Sequence, residues 1–242
     1  MSQFGCPLCG AARAEPDGEM VWVRCRACAA IIFWPSDGPI VLVAHESDTI
    51  AQQIGAVLLS TGFAPVRVLY GHQAIRVLRE RGASAAVVDV ALTDIMAFQL
   101  VEQIRTSDDL RDVKVILVAS VFNKTAYKRR PATLYGADDY VEQHHIYDFL
   151  PEKLAELTGR PAPETSLPGP EVRQQLRDDE ARTDLAGAER VLALARSIVA
   201  DIALYHEAEV QSFLHGGALS PLETVIAEGR RLLTEMANVE DY

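Results

Sequence analysis

The sequence predicts an α/β fold, a doubly wound five-stranded parallel sheet carrying a small N-terminal module and a C-terminal helical unit. Three observations predict it. Between Ile40 and Thr158, five short β-rich runs alternate with helical patterns. All four cysteines fall within the first 28 residues. A stretch rich in proline and glycine then separates this region from two further amphipathic patterns.

The β-rich runs are Ile40–Ala44 (IVLVA), Val66–Tyr70 (VRVLY), Ala85–Val90 (AAVVDV), Lys114–Ser120 (KVILVAS) and Asp138–Gln143 (DDYVEQ). Near-continuous apolar runs of this length suit strands buried on both faces. Helical patterns lie between and after them, at Asp48–Thr61, His72–Arg81, Asp94–Thr106, Asn123–Tyr135 and Ile146–Thr158. Four of the five end at a glycine, namely Gly62, Gly82, Gly136 and Gly159, the residue that closes a helix without a Cβ clash. Strands that alternate with helices make a parallel sheet covered on both sides.

The segment GRPAPETSLPGPE (Gly159–Glu171) holds four prolines and two glycines, so it propagates neither helix nor central strand and reads as a linker. Beyond it, Leu185, Ala188, Leu192, Ala195, Val199 and Ile202 recur at three- and four-residue spacing, which predicts one apolar helix face. SPLE offers Ser220 as N-cap, Pro221 at the first helical position and Glu223 three residues after the cap. A second stripe follows from Leu222 to Met236. The two stripes either pack on each other as a helical hairpin or bind a partner, and the linker predicts that the tail moves relative to the α/β domain. The expected units are residues 1–37, 39–158, a linker at 159–180 and a helical tail at 181–242.

Composition narrows the function. With 49% hydrophobic residues the 242-residue chain can bury a core. The formal net charge is −11, and from Arg160 onward eight basic side chains face fifteen acidic ones. Such a field repels phosphate backbones and argues against nucleic acid as a partner. The chain has no uninterrupted apolar run long enough to span a membrane, and MSQFGCPLCG lacks the charged and apolar regions of a signal peptide. A cytoplasmic location is expected.

Cys6 and Cys9 form one CxxC, Cys25 and Cys28 another, with fifteen residues between them. Two such turns direct four thiolates to the corners of one tetrahedron, which suits a structural zinc ion and leaves no position for catalytic water. A piece of about 35 residues cannot bury enough surface to fold alone, so metal binding would supply its folding free energy. The pattern CPLCG…VRCRACAAIIFW resembles the short zinc ribbons at the N-termini of bacterial regulatory proteins. Arg13, Arg24 and Arg26 are balanced by Glu15, Asp17 and Glu19, so the module carries no basic footprint. Its apolar residues, Val21–Val23 and Ile31–Trp34 among them, exceed what so small a module needs and are expected to pack on a neighbour.

Ligands of doubly wound sheets bind at the carboxyl ends of the strands. In order, those ends carry His45 and Glu46, Asp89, Ala119 and Ser120, and Gln143. With VLVAHESDTI, AVVDVALTD and YGADDYVEQHH, this order resembles the receiver domain of two-component response regulators, in a degenerate form, over residues 39 to 157. In that family a magnesium ion held by acids sets a phosphoryl donor against one aspartate, a hydroxyl and a lysine grip the phosphate, and an aromatic residue reports the change.

The resemblance implies that Asp89 stands at the phosphoacceptor position, Glu46 at that of a metal ligand and Tyr140 at that of the reporting aromatic. Three positions depart from the pattern. His45 replaces an acid, Ala119 falls on the hydroxyl position with Ser120 one residue late, and Gln143 replaces the lysine. Magnesium at Glu46 and Asp89 would therefore be poorly held. The expected function is a non-enzymatic signalling adaptor or scaffold acting through protein–protein contacts. Partners would be a kinase, a GTPase regulator or a polarity or scaffold component, with KTAYKRR (Lys124–Arg130) as a docking surface. The alternatives are a response regulator phosphorylated on Asp89 within a phosphorelay and a zinc-ribbon transcription regulator.

Overall fold

The computed structural model describes residues 6, 9, 11, 21–27, 30–34, 38–119, 131, 133–160 and 187–237. Its sheet has seven strands: β1 (Val21–Arg24), β2 (Ile31–Trp34), β3 (Ile40–Ala44), β4 (Ala64–Val68), β5 (Ala85–Asp89), β6 (Lys114–Ala119) and β7 (Asp139–Glu142). The spatial order is β1-β2-β4-β3-β5-β6-β7. Strands β3 to β7 correspond to the five predicted parallel strands, in the 2-1-3-4-5 order of flavodoxin-like folds, although β4 lies two residues earlier than the predicted Val66–Tyr70 because Tyr70 serves as the N-cap of the next helix. The prediction of a five-stranded sheet is corrected here to seven. The cysteine module adds a hairpin antiparallel to β4, pairing Ile31 with Arg67 and Ile32 with Val66.

That junction explains the surplus apolar residues of the module. Ile32 and Phe33 are fully buried. Phe33 meets Trp22 edge-on at 4.8 Å and lies over Gly55 of helix α1 (Asp48–Ser60) so closely that a Cβ there would stand 2.7 Å from the ring. A glycine inside a helix is costly in itself, and here it makes room for the ring.

Alternation along the strands builds two cores. Val41, Val43, Ala85, Val87, Ile116, Val118 and Val141 face α1 and α4 (Ile146–Thr158). Leu42, Ala44, Ala86, Val88, Leu117 and Ala119 face α2 (Gly71–Arg81) and α3 (Ala97–Thr106). The glycine stops hold: Gly82 and Gly159 close α2 and α4 in the left-handed conformation. Helix α3 starts three residues later than predicted because Asp94 is engaged elsewhere. Its carboxylate accepts from the amides of Gly71 (2.7 Å) and His72 (2.9 Å), capping the start of α2. Burial pushes its pKa up, but those amides and the His72 ring outweigh this and hold it below the usual carboxylate value.

Most of the predicted Asn123–Tyr135 helix, with Lys124–Arg130 and Ser120, lies outside the described residues. Its end is a 3₁₀ turn, Leu134–Gly136, in which Leu134 and Tyr135 have positive φ. The tail forms α5 (Gly187–Tyr205), α6 (Glu207–Leu214) and α7 (Glu223–Ala237). Ser220–Leu222 is a 3₁₀ turn leading into α7 rather than the first helical turn predicted from SPLE.

Helix α5 differs from its predicted role. Ala200, Leu204 and Tyr205 join the core beside α3 and β6, and Ile198 and Ile202 close over Gly229 of α7. The helix is thus sandwiched, whereas Leu192 and Val199 of the predicted stripe are more than half exposed. The tail therefore packs on the α/β core through α5, while residues 161–186, which hold most of the predicted linker, lie outside the described residues. No helix among the described residues is long and apolar enough to cross a membrane.

Candidate functional site

The strand order reverses between β3 and β5, and the crevice at their carboxyl ends receives His45, Glu46 and Asp89. Arg67, a buried residue of β4, fixes the turn after β3. Its Nε donates to the His45 carbonyl (3.0 Å) and its Nη2 to the Glu46 carbonyl (2.5 Å), while Nη1 pairs with Asp48. Ser47 then caps α1 by accepting from the Ile50 amide. Sequence reasoning passed over Arg67, although a lone charge in the strand APVRV is the signal that marks it.

His45 is 3% exposed and Asp89 6%. The imidazole is held neutral: burial lowers its pKa most, against the attraction of Asp89 and with the help of nearby Arg67. Its Nδ1 accepts from the Ser47 amide at 3.1 Å, which places the remaining proton on Nε2. That Nε2 lies 3.7 Å from Asp89 Oδ2 and 3.5 Å from the Gln143 carboxamide. The Gln143 atom that faces the ring is the amide nitrogen Nε2, which cannot accept the ring's proton. Asp89 Oδ1 accepts from the Ala91 amide at 3.0 Å.

Glu46 reaches across the crevice. Its Oε1 accepts from the Thr93 amide at 3.0 Å, and its Oε2 lies 3.8 Å from Arg196 Nη2 on α5. Arg196 lines a groove of about 400 Å³ with Thr93, Ile95 and Val199. The structure thus brings His45, Glu46, Asp89 and Gln143 together as the sequence order implied. Ala119 is fully buried at the end of β6, and Tyr140 packs partly buried against the α2–α3 core with Lys153 over its ring.

Magnesium fits these residues poorly. The crevice presents two carboxylates, one already facing a guanidinium, beside a neutral imidazole, whereas the ion demands a near-octahedral shell of oxygens. The cysteine module fits its ion better. Cys6, Cys9 and Cys25 sulfurs lie within 4.8 Å of one another, and Cys9 and Cys25 are 3.7 Å apart. That is too long for a disulfide and close to the roughly 3.8 Å edge of a tetrahedron with 2.3 Å zinc–sulfur bonds. The two turns are built alike, with Cys6 N–H donating to Ala11 and Cys25 N–H to Ala30. Cys28 lies outside the described residues.

A second set of residues, unmarked in the sequence, joins the tail to this domain. Glu207 is buried and accepts from the Thr133 amide (3.0 Å), the Thr133 hydroxyl and the Tyr135 amide (3.1 Å). Tyr135 in turn donates its hydroxyl to the Ala203 carbonyl at 2.5 Å. Burial, then Glu207, raise the Tyr135 pKa, so the phenol keeps its proton.

Solved receiver domains are similar to this chain over about half its length. A sensor histidine kinase receiver domain from Pseudomonas aeruginosa, with magnesium coordinated in its active-site cleft, is 23% identical with a TM-score of 0.45, covering 51% of this chain and 99% of its own. A response regulator from Thermotoga maritima in complex with Mg²⁺–BeF is 21% identical (TM-score 0.43), covering 50% of this chain and 99% of its own. The receiver domain of a signal transduction histidine kinase from Syntrophus aciditrophicus is 20% identical (TM-score 0.43), covering 55% and 99%. No protein-family model matches the chain, and no curated protein is similar to it.

Proposed function

We propose that the chain is a signal-transduction adaptor built on a degenerate receiver domain, acting through protein contacts rather than through phosphorylation. The observation that carries this reading is the state of the crevice. Asp89 is nearly inaccessible, its neighbour is a neutral imidazole, and an uncharged carboxamide stands where the receiver pattern has its lysine. A transferring phosphoryl group spreads negative charge that cations and donors must meet. Among the described residues, the Arg196 guanidinium faces Glu46 and belongs to the tail, and that of Arg67 is taken up by the carbonyls of His45 and Glu46. The same reading assigns a structural zinc to Cys6, Cys9, Cys25 and Cys28, holding the hairpin that extends the sheet.

The output surface in this reading includes α5, since that helix covers the α/β core beside α3 and β6. The test is amide NMR with magnesium and beryllium fluoride or a small acyl phosphate. The spectrum is expected to stay unchanged. Saturable shifts running from Asp89 to Tyr140, lost in Asp89→Asn, would instead establish a phosphorylatable response regulator.

A further inference from the structure

We propose that Glu142, His144 and His145 form a site for a divalent transition metal of the zinc type, at the seam between the α/β unit and the tail. It is independent of the cysteines. One nitrogen from each ring and one oxygen of Glu142 lie within 4.8 Å of one another. His144 Nε2 is 3.2 Å from Glu142 Oε2, near the roughly 3.4 Å edge of a tetrahedron with 2.1 Å bonds.

The local backbone explains the convergence. In a continuing strand, consecutive side chains would point to opposite faces. Here β7 ends at Glu142 and Gln143–His145 turn as a 3₁₀ helix, which brings the two rings to 4.0 Å between centroids. Asp148, at the start of α4, lies 3.4 Å from His145 Nδ1 and can fix that ring so that Nε2 serves the ion.

The three side chains are each about a third exposed (30%, 31% and 39%), open enough for an ion and its waters to enter. Imidazole and carboxylate together select zinc, nickel or copper over magnesium or calcium. Three protein ligands leave one tetrahedral position for water or for a side chain of a partner. Glu142 is also coupled to the tail. The Tyr205 phenol of α5 is hydrogen-bonded to Glu142, which sets the site against the tail.

The experiment uses the full chain without an affinity tag, dialysed to equilibrium against buffered zinc. The doubly substituted His144→Gln, His145→Gln protein is expected to hold one ion per chain fewer than the unsubstituted protein, whatever the cysteines bind. Equal zinc content would overturn the proposal. In parallel, zinc titration followed through the histidine ring signals is expected to give saturable shifts of His144 and His145. Shifts that are absent or fail to saturate would overturn it. Cobalt substitution separates the two metal readings. In the double variant any thiolate charge-transfer band is expected to persist while the weaker visible bands of a nitrogen–oxygen site disappear, and unchanged weak bands would overturn the proposal.

Discussion

The crevice at the strand ends and the joint between tail and domain are built to different tolerances. In the crevice, the contacts among His45, Asp89, Gln143, Glu46 and Arg196 run from 3.5 to 3.8 Å. At the joint, Glu207 and Tyr135 make hydrogen bonds of 2.5 to 3.1 Å, most of them charge-assisted, around two residues held at positive φ. Left-handed non-glycine residues cost about 1 kcal/mol or more each, so the turn at Leu134–Tyr135 persists because Glu207 and the α5 packing hold it. The difference is one of kind: the joint is closed by short bonds between tail and domain, whereas the crevice keeps its short bonds, 2.5 to 3.1 Å, for backbone groups and leaves its functional side chains loosely apposed.

The contrast can be broken at the joint first. Glu207→Ala removes the acceptor for two amides and a hydroxyl, and a loss of about 3 kcal/mol is expected for buried charge-assisted bonds. Hydrogen exchange should show the amides of α5 losing protection while those of β3 and β5 keep theirs. Arg67→Met comes next, at about 2 kcal/mol, because it strips the donors from two carbonyls. The loss is not larger because the Asp48 partner is 93% exposed and is left in water. Thermal unfolding would read it, and the ring signal of His45 should broaden as its turn loosens.

A smaller, pH-dependent effect sharpens the comparison. His45 is buried neutral, with a pKa below the unfolded value near 6.5. Below that value the unfolded chain binds more protons than the folded one. The stability that His45 lends is therefore complete above about pH 6.5 and declines as pH falls from there toward its folded pKa. Denaturant midpoints between neutral and mildly acidic pH should show this slope, and it should be reduced in His45→Gln. Smallest of all, Asp89→Asn is expected to change stability within about 0.5 kcal/mol, since the amide oxygen can still accept from Ala91. Its partner binding in pull-down should be unaltered.

Much of the fold was legible because it rests on local signals. The strand Ile40–Ala44 and the helix Ile146–Thr158 have the predicted bounds, since an unbroken apolar run and a glycine stop leave little freedom. The crevice was legible in its members, because strand ends converge wherever the topology is doubly wound. Where an element packs on two others, periodicity misled. A single stripe drawn through Leu192 and Val199 could not reveal that α5 is gripped by the α/β core on one side and by α7 on another. Glu207 was illegible for a different reason. Its partners lie more than 70 residues away in a turn whose backbone conformation has no residue code, and nothing near HEAEV distinguishes it from a solvated acid.

The pairing of β2 with β4 has a consequence for colloidal behaviour. Without the hairpin, β4 would be the outermost strand, five residues long with every position buried, and would offer bare amides and carbonyls to any passing chain. Such a margin is a template for strand addition. By covering it, the module hands the outer position to the four-residue β1, whose Arg24 is exposed. Protein stripped of the hairpin should thus fail by self-association rather than by loss of its folded centre.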